Sequence, residues 1–393
     1  MRTTISTAII AICVCLQSAG QGTVPFLREV EKSNPVIIYY GAVLSERAAE
    51  LKTGNTPGAL SAGYGHFPGT PSSIGLKRTF ELSQSFDFPT TYIIRGKLNR
   101  ESYLLAETEF QSGKIGVLLE ARLLAYDYIL HTKRAELLAR KIAGYDSLER
   151  AWKMLFESGA VSVLEMNRIT TELAKARSEA ASEGARLGSL NVRLDYISGG
   201  NAGLLDGAEY DRDELPAADD LAEARRRAHP AFMLKEQEYA LALMETGLSR
   251  SQNLPGLEVG FGSEIIGNEH HTGPRVGISV PLWPNRNLVK LSEARAGAAA
   301  TERDATVGYL VSETMAEYGY CMLVRSNLET VLATVPRNVS AMAVRALSER
   351  EITVTDYFAF MESEYEGMLT MLELECEYHK SVARLLDYML AKQ

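Results

Sequence analysis

An amphipathic strand pair, in a sequence whose other long segments have helical periodicity, constrains this chain most. Its two arms are predicted at about 257–266 and 274–283, and Gly267 to Gly273 is predicted as an exposed loop between them. Apolar residues alternate with small or polar ones along both arms: Leu257, Val259, Phe261 and Ile265, then Val276, Ile278, Val280 and Leu282. Each arm has about ten residues, which is the length of a tilted strand that spans a bilayer.

A second pair of this kind occurs earlier in the chain. Its strands are predicted at about 59–67 and 77–88, and the turn between them is rich in Pro, Gly and Ser. Four strands cannot close a barrel, and an open sheet edge in lipid leaves backbone groups unpaired at a cost of several kcal/mol each. If these strands lie in a membrane, other copies of the chain must complete the barrel.

The first twenty residues have the pattern of a secretory signal. Arg2 precedes an apolar run from Ala8 to Leu16, and Ser18-Ala19-Gly20 offers a small-residue cleavage site. A short buried helix is the alternative. No later segment has the roughly 18 unbroken apolar residues of a transmembrane helix, so any membrane crossing is expected to use strands.

Composition and motifs exclude several classes of function. With 41 basic and 50 acidic residues and no basic run, the chain is not expected to bind nucleic acid. It has no phosphate-binding loop, nucleophile elbow or metal-ligand cluster, so we predict neither an enzyme nor a cofactor. Beyond the signal only Cys321 and Cys376 remain, at similar heights on opposite arms of one helical hairpin. Either a disulfide or two buried thiols would fit this spacing.

The order of elements is repeated in tandem. A helix, a strand pair and a long helical hairpin make up a first repeat at 21–195 and a second at 229–393, with a linker and compact insert at 196–228. The hairpins are predicted at about 90–195 and 285–392. In the last helix, apolar residues step by three and four from Phe358 to Met389, which is the spacing of coiled-coil packing.

The tips of the two hairpins align residue by residue. Each has a hydroxyl three residues, and a carboxylate six residues, after its first position. The aligned residues are Gly159, Ser162 and Glu165 in the first tip and Arg350, Thr353 and Asp356 in the second.

The signal, the duplicated order of elements and the G-x-x-[ST]-x-x-[DE] tip together resemble the TolC family of outer-membrane efflux proteins. The resemblance covers essentially the whole mature chain. It implies a mainly α protein with β strands, in which long coiled-coil hairpins form a periplasmic α-barrel and four transmembrane strands per chain enter a shared trimeric β-barrel. It also implies a passive conduit in a Gram-negative outer membrane that exports small molecules or metal ions, with a periplasmic adaptor and an inner-membrane pump as partners.

The resemblance also assigns expectations to the tips. Asp356 stands where family members carry a tip aspartate associated with pore closure, and Glu165 is its counterpart in the first repeat. In a trimer these carboxylates would form rings of like charge; the simpler interpretation is that each caps its helix, with Ser162 or Thr353. Arg350 departs from the family pattern because it replaces the tip glycine that Gly159 retains.

Other residues have two interpretations each. His270 and His271, near Glu264 and Glu269, could contact a metal or lie in a solvated loop. Glu375 and His379 could line a tunnel or bond between helices. Phe86, Phe88 and Trp283 could be interfacial aromatics or pack on a neighbouring helix. The alternative function for the whole chain is a periplasmic coiled-coil spacer or a surface adhesin, with strands outside lipid.

Overall fold

The computed structural model describes residues 22–281, 287–334 and 339–392. The elements of the first repeat are α1 (Val24–Ser33), α2 (Pro35–Glu50), β1 (Leu60–Pro68), β2 (Leu76–Phe86), α3 (Pro89–Glu157) and α4 (Val163–Ser198). They are followed by α5 (Ala218–Ala228), α6 (Pro230–Ser251), β3 (Gly256–Ile266), β4 (Glu269–Ser279), α7 (Leu288–Thr334), α8 (Val339–Ser348) and α9 (Val354–Leu385). Short 3₁₀ turns cover Ser72–Ile74, Ala202–Leu205 and Asp387–Lys392. The predicted signal lies outside the described residues.

The predicted order of elements is present in both halves of the chain. The series α2, β1, β2, α3 and α4 is matched by α6, β3, β4, α7 with α8, and α9. Helix α3 runs unbroken for 69 residues, with no proline after Pro89 and only four isolated glycines. Helix α1 was not predicted, and α9 ends at Leu385, before the last residues of the apolar spacing.

The repeats are not the compact units of the fold. Among the described residues, a helical unit comprises 22–38, 113–223, 312–334 and 339–392, and a strand-bearing unit comprises 39–112, 224–281 and 287–311. Each unit therefore takes segments from both repeats. Because the long helices run through both units, the duplication is visible along the chain but does not divide the fold.

The helical unit buries the apolar seams that the heptad spacing predicts. One cluster packs side chains of α3 against α9 and the insert, including Tyr126, Leu130, Tyr210, Leu372 and Cys376. A second cluster lies nearer the hairpin tips and joins residues of both hairpins: Tyr145, Ile169, Leu173, Leu347, Val354, Tyr357 and Phe358. The two hairpins of one chain are thus held together along buried apolar rows.

The insert is more than a linker, because a buried polar cluster ties it to α3 and to the start of α1. The carboxylate of Asp211 accepts hydrogen bonds from the Thr23 backbone N–H at 2.9 Å, from the Tyr126 hydroxyl at 2.9 Å and from Arg122 Nε at 3.0 Å. Arg122 also contacts Asp213. Burial is the main cause that raises the pKa of Tyr126, so its phenol stays a hydrogen-bond donor.

The four strands form one antiparallel sheet in the order β1-β2-β3-β4. The central pair, β2 with β3, joins the two repeats: Phe86 lies opposite Leu257, and Lys77 opposite Ile266. The predicted boundaries of the last strand, about 274–283, were wrong: β4 runs from Glu269 to Ser279, and the turn before it consists only of Gly267 and Asn268. Gly267 has φ +58° at the first turn position, which a two-residue type II′ hairpin turn requires.

Candidate functional site

One face of the sheet is a band of exposed apolar side chains. Residues directly opposite each other on neighbouring strands share a face, so the pairing places Leu82 beside Phe261, Val259 beside Val276 and Leu257 beside Ile278. Val276 is 75% exposed and Ile278 69% exposed. The other large apolar residues exposed on this face are Leu60, Tyr64, Phe80, Leu257, Val259 and Phe261. The band is far more apolar than an ordinary water-facing sheet surface.

The opposite face is mostly charged or small, with the exposed apolar residues Phe67 and Ile266 on either side of Lys77. Arg275 Nη1 lies 3.0 Å from Glu81 Oε1, and Lys77 pairs with Glu264. The same face carries glycines from three strands, at Gly63, Gly65, Gly260, Gly262, Gly273 and Gly277. The sheet is therefore amphipathic over its whole width. In the described part of the chain, no helix is both long and apolar enough to cross a membrane.

The histidine pair does not lie in a loop. His270 and His271 are successive residues of β4, opposite Ile265 and Glu264 respectively. Successive strand residues point to opposite faces, so the two imidazoles cannot converge on one ion without leaving the strand. Among the described residues no group of three or more His, Cys, Asp or Glu side chains could hold a metal.

The two hairpin tips close their first helices in the same way. After α3, the backbone N–H of Ala160 donates to Leu155 O at 2.9 Å; after α8, that of Glu351 donates to Ala346 O at 2.9 Å. Each of these is the 6→1 hydrogen bond of a Schellman motif, a helix C-terminus that needs one residue with left-handed backbone. Gly159 fills this position with φ +73° and Arg350 with φ +59°.

The second helix of each tip begins with a capping box. Glu165 N–H donates to Ser162 Oγ at 3.2 Å, and Ser162 N–H donates to Glu165 Oε2 at 2.8 Å. In the second tip the equivalent distances between Asp356 and Thr353 are both 3.1 Å. The hydrogen bonds of Ser162, Glu165, Thr353 and Asp356 are therefore those of helix-capping residues.

Hydrogen bonds, rather than burial, set the electrostatics of the tip carboxylates. Those from Ser162, chiefly from its backbone N–H, lower the pKa of Glu165, and Arg350 adds a smaller effect of the same sign. Those from Thr353, chiefly from its hydroxyl, lower the pKa of Asp356. Both groups are therefore carboxylates at neutral pH.

Exposed apolar side chains surround these caps, and the sequence analysis did not identify them. Met154, Val163 and Leu164 are exposed at the first tip. At the second, Met342, Ile352 and Phe360 line an open groove of about 570 Å³. The adjacent apolar residues Val163 and Leu164 in the first turn of α4 were the only sequence signal for this surface.

The remaining candidates lie in the helical unit. Cys321 and Cys376 are both free and buried, so no disulfide joins them. Burial raises the pKa of Cys376 to about 11. Glu375 pairs with Lys133 at 2.9 Å, and the His379 ring stacks on Tyr210 at 4.7 Å. Both residues therefore contact other segments of the unit. Phe88 is exposed, and Trp283 lies outside the described residues.

The comparisons with known proteins rest on structure. No family model matches the chain, and no curated protein matches it by sequence. A membrane protein from Pseudomonas aeruginosa matches with a TM-score of 0.77 and 12% identity over 93% of this chain and 89% of its own. The outer membrane protein VceC from Vibrio cholerae gives 0.76 and 11% over 93% and 95%. The Campylobacter jejuni CmeC outer membrane channel gives 0.74 and 11% over 94% and 85%.

These matches extend over nearly the whole of each chain, so the likeness is one of complete architecture rather than of a shared helical hairpin. The identities are too low to carry over a substrate or a partner. The resemblance found in the sequence is confirmed at the level of the fold: the chain has the fold of the TolC-family outer-membrane efflux channels.

Proposed function

We propose that the chain is the outer-membrane channel of a tripartite efflux pump, a passive homotrimeric conduit for small molecules or metal ions. Each copy supplies four strands to one β-barrel in a Gram-negative outer membrane, and its hairpins form the periplasmic tunnel. The carboxylates Asp356 and Glu165, each present three times, contribute negative charge at the tunnel entrance.

The observation that carries this proposal is the exposed apolar band on one face of the sheet. In water, exposing Val276, Ile278 and their neighbours forgoes the stabilisation of about 25 cal/mol for each Å² of apolar surface that burial would provide. In contact with lipid hydrocarbon, the same apolar surface does not carry this free-energy cost. The charged and glycine-rich opposite face suits a water-filled interior.

A periplasmic adaptor and an inner-membrane pump are the proposed partners. The exposed apolar residues at the tips, among them Leu164 and Phe360, offer a surface on which an adaptor can bury apolar area. Specificity for the cargo is expected to reside mainly in the pump, since the chain is a conduit.

Membrane fractionation and mass measurement test the proposal. The protein should remain with outer membranes through salt and carbonate washes, need detergent for extraction, sediment as three chains and conduct ions in planar bilayers. A monomer released by salt would contradict it.

The spacer or adhesin alternative keeps the strands in water. It predicts that the apolar band is covered by protein, so a salt-extracted form without conductance would favour it. The described residues leave the band uncovered, which is why we prefer the channel.

A further inference from the structure

The hairpin turn determines which backbone groups of β4 face the outer edge of the sheet. In a two-residue hairpin the residues that flank the turn, here Ile266 and Glu269, form a hydrogen-bonded pair. Hydrogen-bonded and non-hydrogen-bonded pairs then alternate along the ladder. The odd-numbered residues of β4 therefore bond to β3, and the N–H and C=O groups of its even-numbered residues point outwards.

The same alternation can be followed across the sheet to β1. Odd-numbered residues of β3 bond to even-numbered residues of β2, so the odd-numbered residues of β2 bond to odd-numbered residues of β1. The hydrogen bond from Gly69 N–H to Gly75 O agrees with this assignment. The outward groups of β1 thus belong to Leu60, Ala62, Tyr64, His66 and Pro68, on the same face as the outward residues of β4.

Each edge contains a proline at an outward position, Pro68 in β1 and Pro274 in β4. A proline has no N–H to donate, and its ring is directed at the strand that would pair there, so a ladder accepts it best at an end. Pairing along β4 should therefore cover Val276, Ile278 and Val280 and stop at Pro274. Pairing along β1 should stop at Pro68.

The tilt of strands in membrane barrels limits the stagger between neighbouring copies. A tilt of about 35–45°, with a rise of about 3.3 Å per residue and strands about 4.8 Å apart, corresponds to about four to six residues over four strands. Within one sheet Leu60, Gln84, Val259 and Val276 lie at one level. A stagger of six residues therefore brings Pro68 of the next copy opposite Pro274, and a stagger of four does not.

We propose that β4 of one copy pairs with β1 of the next in a single register, with Ile278 opposite Tyr64, Val276 opposite His66 and Pro274 opposite Pro68. Among registers that match outward groups with outward groups, this one combines the six-residue stagger with prolines at the same level on both strands. It rests on the proposed trimer and specifies the seam of its barrel. The apolar band then continues from copy to copy.

Cysteine cross-linking in isolated outer membranes tests this register. In Tyr64→Cys/Ile278→Cys, oxidation should convert most of the protein to a covalent trimer that reduction returns to monomer. Within one sheet the two positions are three strand spacings, or about 14 Å, apart across the strands and six residues, or about 20 Å, apart along them, so they cannot link within a chain. Each single variant should give no product, since the native thiols of Cys321 and Cys376 are buried.

The off-register control is Tyr64→Cys/Val276→Cys, which is shifted by two residues and should cross-link at least several-fold less. If this control links more efficiently than the first pair, the register is overturned although copies still share a barrel. If the first pair reaches the membrane and neither pair links chains, both the seam and the proposed channel fail. If Tyr64→Cys prevents assembly, His66→Cys/Val276→Cys replaces it, because these two residues are also opposite each other in the proposed register and should cross-link.

Discussion

The two compact units differ in how far they bury their apolar side chains. In the helical unit Tyr126 and Tyr145 are 1% exposed, and apolar side chains from four helices pack against each other. In the strand-bearing unit, β4 leaves Val276 and Ile278 largely exposed. The same residue types that drive burial in one unit remain uncovered in the other. This contrast supports the proposal that the helices fold in water and that the sheet face meets lipid.

The largest predicted effect comes from a charge on the apolar band. Val276→Lys should reduce assembly into the outer membrane severely, because a lysine near the middle of the bilayer costs about 2–4 kcal/mol per chain. The control is Gly277→Lys, one residue along on the polar face and near Glu258, which should assemble almost normally. Membrane-bound protein is measured after carbonate washing. Equal loss in both variants would remove the distinction between the two faces.

The next effect belongs to the buried polar cluster of the helical unit. Arg122→Ala leaves Asp211 without its buried cation and should lower the free energy of unfolding by about 3–5 kcal/mol. Arg193→Ala, at an exposed and longer ion pair with Glu120, should change it by less than about 1 kcal/mol. Denaturant unfolding followed by circular dichroism measures both. Similar values for the two variants would mean that the cluster does not anchor the insert.

A smaller effect distinguishes the two tips. Left-handed backbone costs a residue with a side chain about 1 kcal/mol relative to glycine, so Gly159→Ala should destabilise the first tip and Arg350→Gly should stabilise the second. Hydrogen exchange of the amides in the first turns of α4 and α9 reports each tip separately. If Arg350→Gly reduces protection instead, contacts of the arginine side chain outweigh the backbone strain.

The smallest effect is the response of the tips to acid. The pKa values of Glu165 and Asp356 are lowered in the folded chain, so their capping contribution is full above the unfolded values, near 4, and declines as pH falls through the folded values. Protection of the α4 and α9 first turns should decrease in that direction. Glu165→Gln and Asp356→Asn should each remove the dependence in their own tip, and an unchanged dependence would point to another group.

Much of the fold could be predicted because its signals are local. Alternation along β3, the unbroken α3 and the duplicated tips are all patterns within short windows of sequence. The error in β4 has a local cause too: Glu269, His270 and His271 have the composition of a loop, while Gly267 and Asn268 alone form the turn. Turn chemistry at that glycine was the better guide than polarity.

What the sequence could not predict depends on pairs that are distant in the chain. Asp211 meets Arg122 across 89 residues and Thr23 across 188, and no periodicity marks such partners. The left-handed backbone of Arg350 could not be predicted from the residue type, because arginine rarely adopts this conformation; only its alignment with Gly159 indicates it. The capping boxes, in contrast, could be read from Ser162 with Glu165 and from Thr353 with Asp356.

The most direct test of the central claim compares two neighbouring positions of β4 in outer membranes. A fluorescent label on Val276→Cys should be quenched by a lipid-soluble quencher and protected from a water-soluble one, and a label on Arg275→Cys should behave in the opposite way. If both labels are quenched equally from water, the apolar band does not face lipid, and the channel assignment is contradicted.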